Sequence, residues 1–188
     1  MSYLSIRPSL FFSLVLLSLL LATPSSTSKV VDVKVICTRS QDSSFCSKIL
    51  NSKPGGANSA DLISLVQYTI DVARVDATDT LNLINTLIAK SGSDQKAKDH
   101  YTKCWTHFNK DEGALSDIDR VQDLLKKEDY IGVNTAASAI ITNINDYIVG
   151  EDPEDPPYTD KSNLPQFVDV VKKVADIILV ISKYLIKK

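Results

Sequence analysis

The spacing of the apolar residues constrains this chain more than any other feature. From Leu164 to Lys188, Phe167, Val168, Val171, Val174, Ala175, Ile178, Ile181 and Leu185 recur at helical intervals. Lysines 172, 173, 183, 187 and 188 fall on or near the opposite face, and Pro165 suits a first turn. A stripe of that period can be buried only against other helices or a sheet. No strand-like alternation survives beyond a few residues, so the partners must be helices too.

Three further segments carry the same period. Asp61 to Lys90 places Leu62, Leu65, Val66, Ile70, Ala73, Ala77, Leu81, Ile84, Leu87 and Ile88 on one stripe, with Asn58 or Ser59 as the expected N-cap. Gln95 to Lys127 carries Tyr101, Cys104, Trp105, Phe108, Leu115, Ile118, Val121, Leu124 and Leu125. Gly113 weakens its middle, so a bend near Asp111 to Gly113 is expected. Tyr130 to Val149 turns Val133, Ala137, Ile140, Ile141, Ile144, Tyr147 and Ile148 inward, with Gly150 placed to end the helix. Between that segment and the last, EDPEDPPYTDKSN at 151–163 reads as an acidic loop, because its prolines remove donors. These four segments predict an all-α, up-down-up-down four-helix bundle. Val30 to Leu50 reads as two short helical pieces around the polar turn Thr38 to Ser44, an appendage closed off by KPGGANS at 53–59.

The amino terminus is of another kind. Ser9 to Ala22 is apolar apart from serine, follows Arg7, and runs into small and polar residues. It is shorter than the roughly 20 residues a bilayer requires, and reads as a secretory signal peptide over residues 1 to about 26. The domain then occupies residues 30–188. Without Arg7, 20 basic side chains stand against 23 acidic ones, a net charge of -3 that offers no basic patch for nucleic acid or a membrane surface.

Export sets the reading of the three cysteines. Cys37 and Cys46, nine positions apart, form the natural local bridge in an oxidising compartment, and Cys104 is left unpaired. A monomer is expected, with Cys104 the one residue able to link two chains covalently. Catalytic chemistry finds little support. His100 and His107 are the only histidines, no Glu-x-x-His repeats accompany them, and no metal site is expected. Cys104 and His107 stand three apart without a third group to orient them, so they make no nucleophile pair. P-loop, dinucleotide and calcium-loop patterns are absent, as are glycosylation sequons. The chain reads as a non-enzymatic, cofactor-free secreted module whose business is contact with another molecule.

Several motifs carry a resemblance. Ile36-Cys37-Thr38 through Phe45-Cys46-Ser47-Lys48-Ile49-Leu50 resembles the first motif of the plant invertase and pectin methylesterase inhibitor family. Lys103-Cys104-Trp105 with Phe108 is similar to its third-cysteine motif, and Asp129-Tyr130 with Ala139-Ile140-Ile141-Thr142-Asn143 to its later helix. The family's Thr-Cys dipeptide is replaced here by Asp146-Tyr147, so Tyr147 stands where a fourth cysteine would pair with Cys104. The resemblance implies an N-terminal helical hairpin bridged through Cys37 and Cys46, no catalysis and no cofactor. It also implies a one-to-one complex that occludes the cleft of a carbohydrate enzyme in the cell wall or, less in keeping with this chain, the vacuole. Family members that act on invertase often carry Pro-Lys-Phe between the two later helices, whereas this chain has Lys127-Glu128-Asp129-Tyr130-Ile131. Pectin methylesterase in the apoplast is therefore the expected target. Invertase is the alternative, followed by a pollen allergen-like binding protein with inhibition lost. Expected contacts are Asp71, Arg74, Asp76 and Asp79 from the second segment with Asp111 and Glu112 from the third.

Overall fold

The computed structural model describes residues 31–57, 60–149 and 158–187; the expected signal peptide lies outside them. Among the described residues there are seven helices: α1 Val33–Cys37, α2 Ser43–Asn51, α3 Leu62–Lys90, α4 Gln95–Phe108, α5 Ala114–Lys126, α6 Tyr130–Val149 and α7 Leu164–Ile186. The all-α expectation holds, but the expected four-helix bundle does not: the third segment is two helices, and two more precede α3.

The break between α4 and α5 has a local cause. Asn109, only 3% exposed, accepts through Oδ1 from the N–H groups of Asp111 (2.8 Å) and Glu112 (3.0 Å) and donates through Nδ2 to the Thr106 carbonyl (3.0 Å). One side chain thus takes over hydrogen bonds that a continuous helix would make along its own axis. Gly113 then starts α5 from an extended conformation. A Cβ there would lie 2.6 Å from the Asn109 nitrogen and 2.7 Å from the His107 carbonyl carbon, both backbone. Gly113→Ala should therefore lower stability by about 1–3 kcal/mol, read as the urea midpoint, although alanine is the better helix former.

Four helix starts are fixed by aspartates. Asp32, Asp42, Asp61 and Asp94 cap α1 to α4 by accepting from Lys34, Phe45, Ser64 and Ala97 respectively. The cap of α3 is therefore Asp61 rather than Asn58 or Ser59. At the far end of α5, Asp129 N–H bonds the Leu124 carbonyl and Glu128 N–H the Leu125 carbonyl, each at 3.0 Å, with Glu128 at φ 56°. That is the left-handed turn helices use to satisfy their last carbonyls, and it reverses the chain directly into α6.

The core follows from these turns. α7 packs along α3 and α6, α5 packs on α6 and α3, and α4 lies against α3 and α6. Ile70, Ile84, Phe108, Leu115, Ile118, Ile140, Ile144, Ile178 and Ile181 are all fully buried between them. The amino-terminal hairpin is joined to this core rather than appended to it. Cys37 and Cys46 are disulfide-bonded with Cα atoms 5.5 Å apart. The buried Asp176 of α7 accepts from Ser40 Oγ (2.7 Å) and from the Gln41 N–H (2.9 Å). Tyr184 Oη donates to the Val35 carbonyl at 3.2 Å, and Lys173 reaches Asp42 at 3.2 Å. The Phe45 N–H and Lys173 hold the Asp42 carboxyl below its usual range.

Candidate interaction face and the Cys104 cluster

Two polar bridges register α3 against α5. Gln67 and Gln122 exchange reciprocal amide bonds of 2.6 and 2.8 Å, and Arg74 pairs with Asp119. Gln67 also donates to Asp71 at 3.0 Å, so the exposed Asp71 is held at the edge of the seam. Because the two helices run antiparallel, stepping five residues up α3 from Arg74 and five back along α5 from Asp119 puts Asp79 level with Ala114. The turn carrying Asp111 and Glu112 therefore stands at the same end of the seam as Asp79. Both of those side chains are exposed, while their N–H groups are committed to Asn109.

The six expected contact residues stand in different states, and Asp76, two positions from Arg74, projects about 160° round α3 from the side that meets α5. Asp71, Asp79, Asp111 and Glu112 are exposed, Arg74 is tied to Asp119, and Asp76 is half-buried. Burial, then the charge of Asp79, pushes the Asp76 carboxyl above its ordinary value. Val75 is 59% exposed between Asp71 and Asp79, an apolar residue on an otherwise acidic stripe. Sequence reading missed Gln67, Asp119 and Gln122, which give the face its rigidity. Only the Gln67 to Asp71 spacing of four was visible as a local pair.

On the far side of α4, Cys104 is free and 1% exposed. Its Sγ donates to the His100 carbonyl at 3.0 Å and lies 3.6 Å from His100 Nε2, the histidine one turn before it. Burial, then the charge of Asp160, pushes the thiol up to about 12, which keeps it protonated and weakly nucleophilic. Reaching a thiol on another chain would require α4 to open. Tyr147 lies in α6, but its side chain is outside the described residues, as is the acidic stretch 150–157. Among the described residues no group of three or more His, Cys, Asp or Glu could hold a metal ion. No described helix is long and apolar enough to cross a membrane.

A sequence profile described as plant invertase/pectin methylesterase inhibitor matches residues 31–181. The chain is 30% identical over 181 residues to the pectinesterase inhibitor of Actinidia deliciosa, covering 94% of each protein. It is 30% identical over 117 residues to pectinesterase inhibitor 2 of Arabidopsis thaliana, covering 62% of this chain and 65% of that one. Among solved structures, a pectin methylesterase inhibitor from Arabidopsis thaliana superposes with a TM-score of 0.58 at 26% identity, over 87% of this chain and 98% of that one. A mutant form of an Arabidopsis pectin methylesterase inhibitor gives a TM-score of 0.65 at 27% identity, over 80% and 95%.

Proposed function

The chain belongs to the plant invertase/pectin methylesterase inhibitor family, and from that premise we propose that it inhibits pectin methylesterase outside the cell by forming a one-to-one complex. It is an inhibitor and not an enzyme, like the proteins it is similar to. The observation that carries the choice of target is the similarity along 94% of both chains to a protein named for pectinesterase inhibition. The turn from α5 to α6 supports it, because Lys127 to Ile131 folds as a helix-ending reversal without Pro-Lys-Phe.

The proposed docking face is the α3–α5 seam with the turn at Asp111 and Glu112. Its two helices are already held in register by Gln67–Gln122 and Arg74–Asp119, so covering a cleft with this face orders little backbone that was free. Val75 supplies an apolar contact at its centre, and Asp71, Asp79, Asp111 and Glu112 supply a polar rim.

Titration of purified protein against a pectin methylesterase and a cell-wall invertase tests the reading. Activity of the esterase should fall linearly to an equivalence point of one inhibitor per enzyme, with the invertase unaffected. Combining Asp71→Lys with Asp79→Lys should weaken the complex by about tenfold or more, chiefly through slower association with an altered salt dependence, with the unfolding midpoint unchanged. Inhibition of invertase alone would reverse the choice of target, and wild-type affinity in the double variant would move the face elsewhere.

A further inference from the structure

The connection that enters α7 is fastened to α4 by a small set of rings and one carboxylate. The His100 ring stacks on Tyr158 with centroids 4.4 Å apart, and Tyr101 meets both rings edge-on at 5.0 and 5.9 Å. Asp160 accepts through Oδ1 from Tyr101 Oη at 3.0 Å and from the Ser162 N–H at 2.8 Å. Ser162 in turn accepts from the N–H of Leu164, the first residue of α7, at 3.0 Å. The other oxygen, Asp160 Oδ2, is buried without a hydrogen-bond partner and lies 3.7 Å from His100 Nε2. The Asp160 side chain is 7% exposed and that of His100 is 20% exposed.

We propose that His100, Tyr158 and Asp160 form a proton-operated clasp that holds the connection against α4 while the imidazole is neutral and releases it when the imidazole is protonated. The geometry sets the sign. A proton on His100 would place a full charge in a ring stack with little water, and Asp160 Oδ2 stands beyond hydrogen-bond distance. Asp160 already spends Oδ1 on Tyr101 and Ser162, so it cannot swing toward the ring without giving up the contacts that start α7. Among the described residues, the charges acting on His100 are Asp160 from the connection and Lys103 from its own helix. Titratable groups against it include Tyr101 and Cys104 on α4 and Tyr158 on the connection. Burial pulls the imidazole below its ordinary value, the attraction of Asp160 opposes this, and Lys103 adds to the fall. Burial also raises the Tyr101 hydroxyl, so that group stays a neutral donor throughout.

A histidine whose folded value is lowered binds its proton more readily once the clasp is open. Its contribution is complete at neutral pH and is lost as pH falls below about 6.5 and through the folded value. Acidification thus loosens the segment that follows the acidic stretch 151–155 in the chain.

Proton titration of the full-length mature protein by NMR tests this. The His100 ring signals should move with a midpoint below 6.5. The Tyr158 ring and the Ser162 amide should follow the same midpoint, and exchange of the Ser162 and Leu164 amides should quicken about tenfold below it. In His100→Gln the acid step in Tyr158 and Ser162 should vanish, while in Asp160→Asn the His100 midpoint should fall further because an opposing anion is gone. A wild-type midpoint at or above 6.5 would mean that pairing with Asp160 wins and acid tightens the connection. Tyr158 and Ser162 signals indifferent to the titration of His100 would remove the clasp altogether.

Discussion

Replacing Phe108 by alanine lowers the free energy of unfolding by about 3–5 kcal/mol, the range for deleting a fully buried aromatic ring. Phe108 is the last residue of α4 and is completely buried, so its ring is the final core contact before the chain breaks at Asn109. The backbone at the break is fixed on both sides, by the Asn109 side chain and by the tight approach of Gly113. It has little room to collapse into the void, which puts the expected loss toward the upper end of the range. Urea denaturation followed by far-ultraviolet circular dichroism measures the effect. A loss under about 1 kcal/mol would show that the ring is not part of the core.

The second large effect belongs to a polar residue. Asp176→Ala leaves the Ser40 hydroxyl and the Gln41 N–H without their acceptor, and each bond to a carboxylate contributes about 1.5–3 kcal/mol. A total loss of about 3 kcal/mol is expected, with the helices from α3 onward intact, because the damage falls on the docking of α1 and α2 against α7. Asp176→Asn keeps one acceptor oxygen and should lose about half as much. Limited proteolysis distinguishes this from general destabilisation: cleavage between Thr38 and Asp42 should rise well before cleavage within α3 or α6. Uniform cleavage would show that the hairpin is not separately tied.

The long helices were legible because their evidence is periodic and local. Leu62–Lys90, Tyr130–Val149 and the start of α7 at Leu164 fall within a residue of where the apolar stripe and its flanking breakers put them. The division of 95–127 was only half legible. A single glycine signals weakness, not a break, and the decisive agent is the Asn109 side chain, whose choice between solvent and its own backbone depends on being buried. The contact face shows the same limit. Its exposed aspartates could be named from the polar side of the α3 stripe, but the seam that orders them joins residues 45 and 55 positions apart. His100 adjoins Tyr101 in sequence and meets it in the fold, but its stacking partner Tyr158 sits in the stretch that reads as a loop. Nothing along one strand of text pairs a helix residue with a side chain nearly sixty positions later.

The bond between Ser40 and Asp176 spans 136 residues. A ribosome adding roughly 5–20 residues per second takes about 7–27 seconds to cross that interval. Throughout it, α1 and α2 are complete but their dock on the last helix does not yet exist. The cysteines meet in that window, when Cys46 is close to Cys37 in the chain and Cys104 is still arriving. Closing a short loop costs less entropy than closing a long one, so the correct bond forms early and Cys104 is left for burial. The last helix to be made is therefore the one that locks the first two in place, and a chain truncated before Asp176 would carry its disulfide on a hairpin with nowhere to settle.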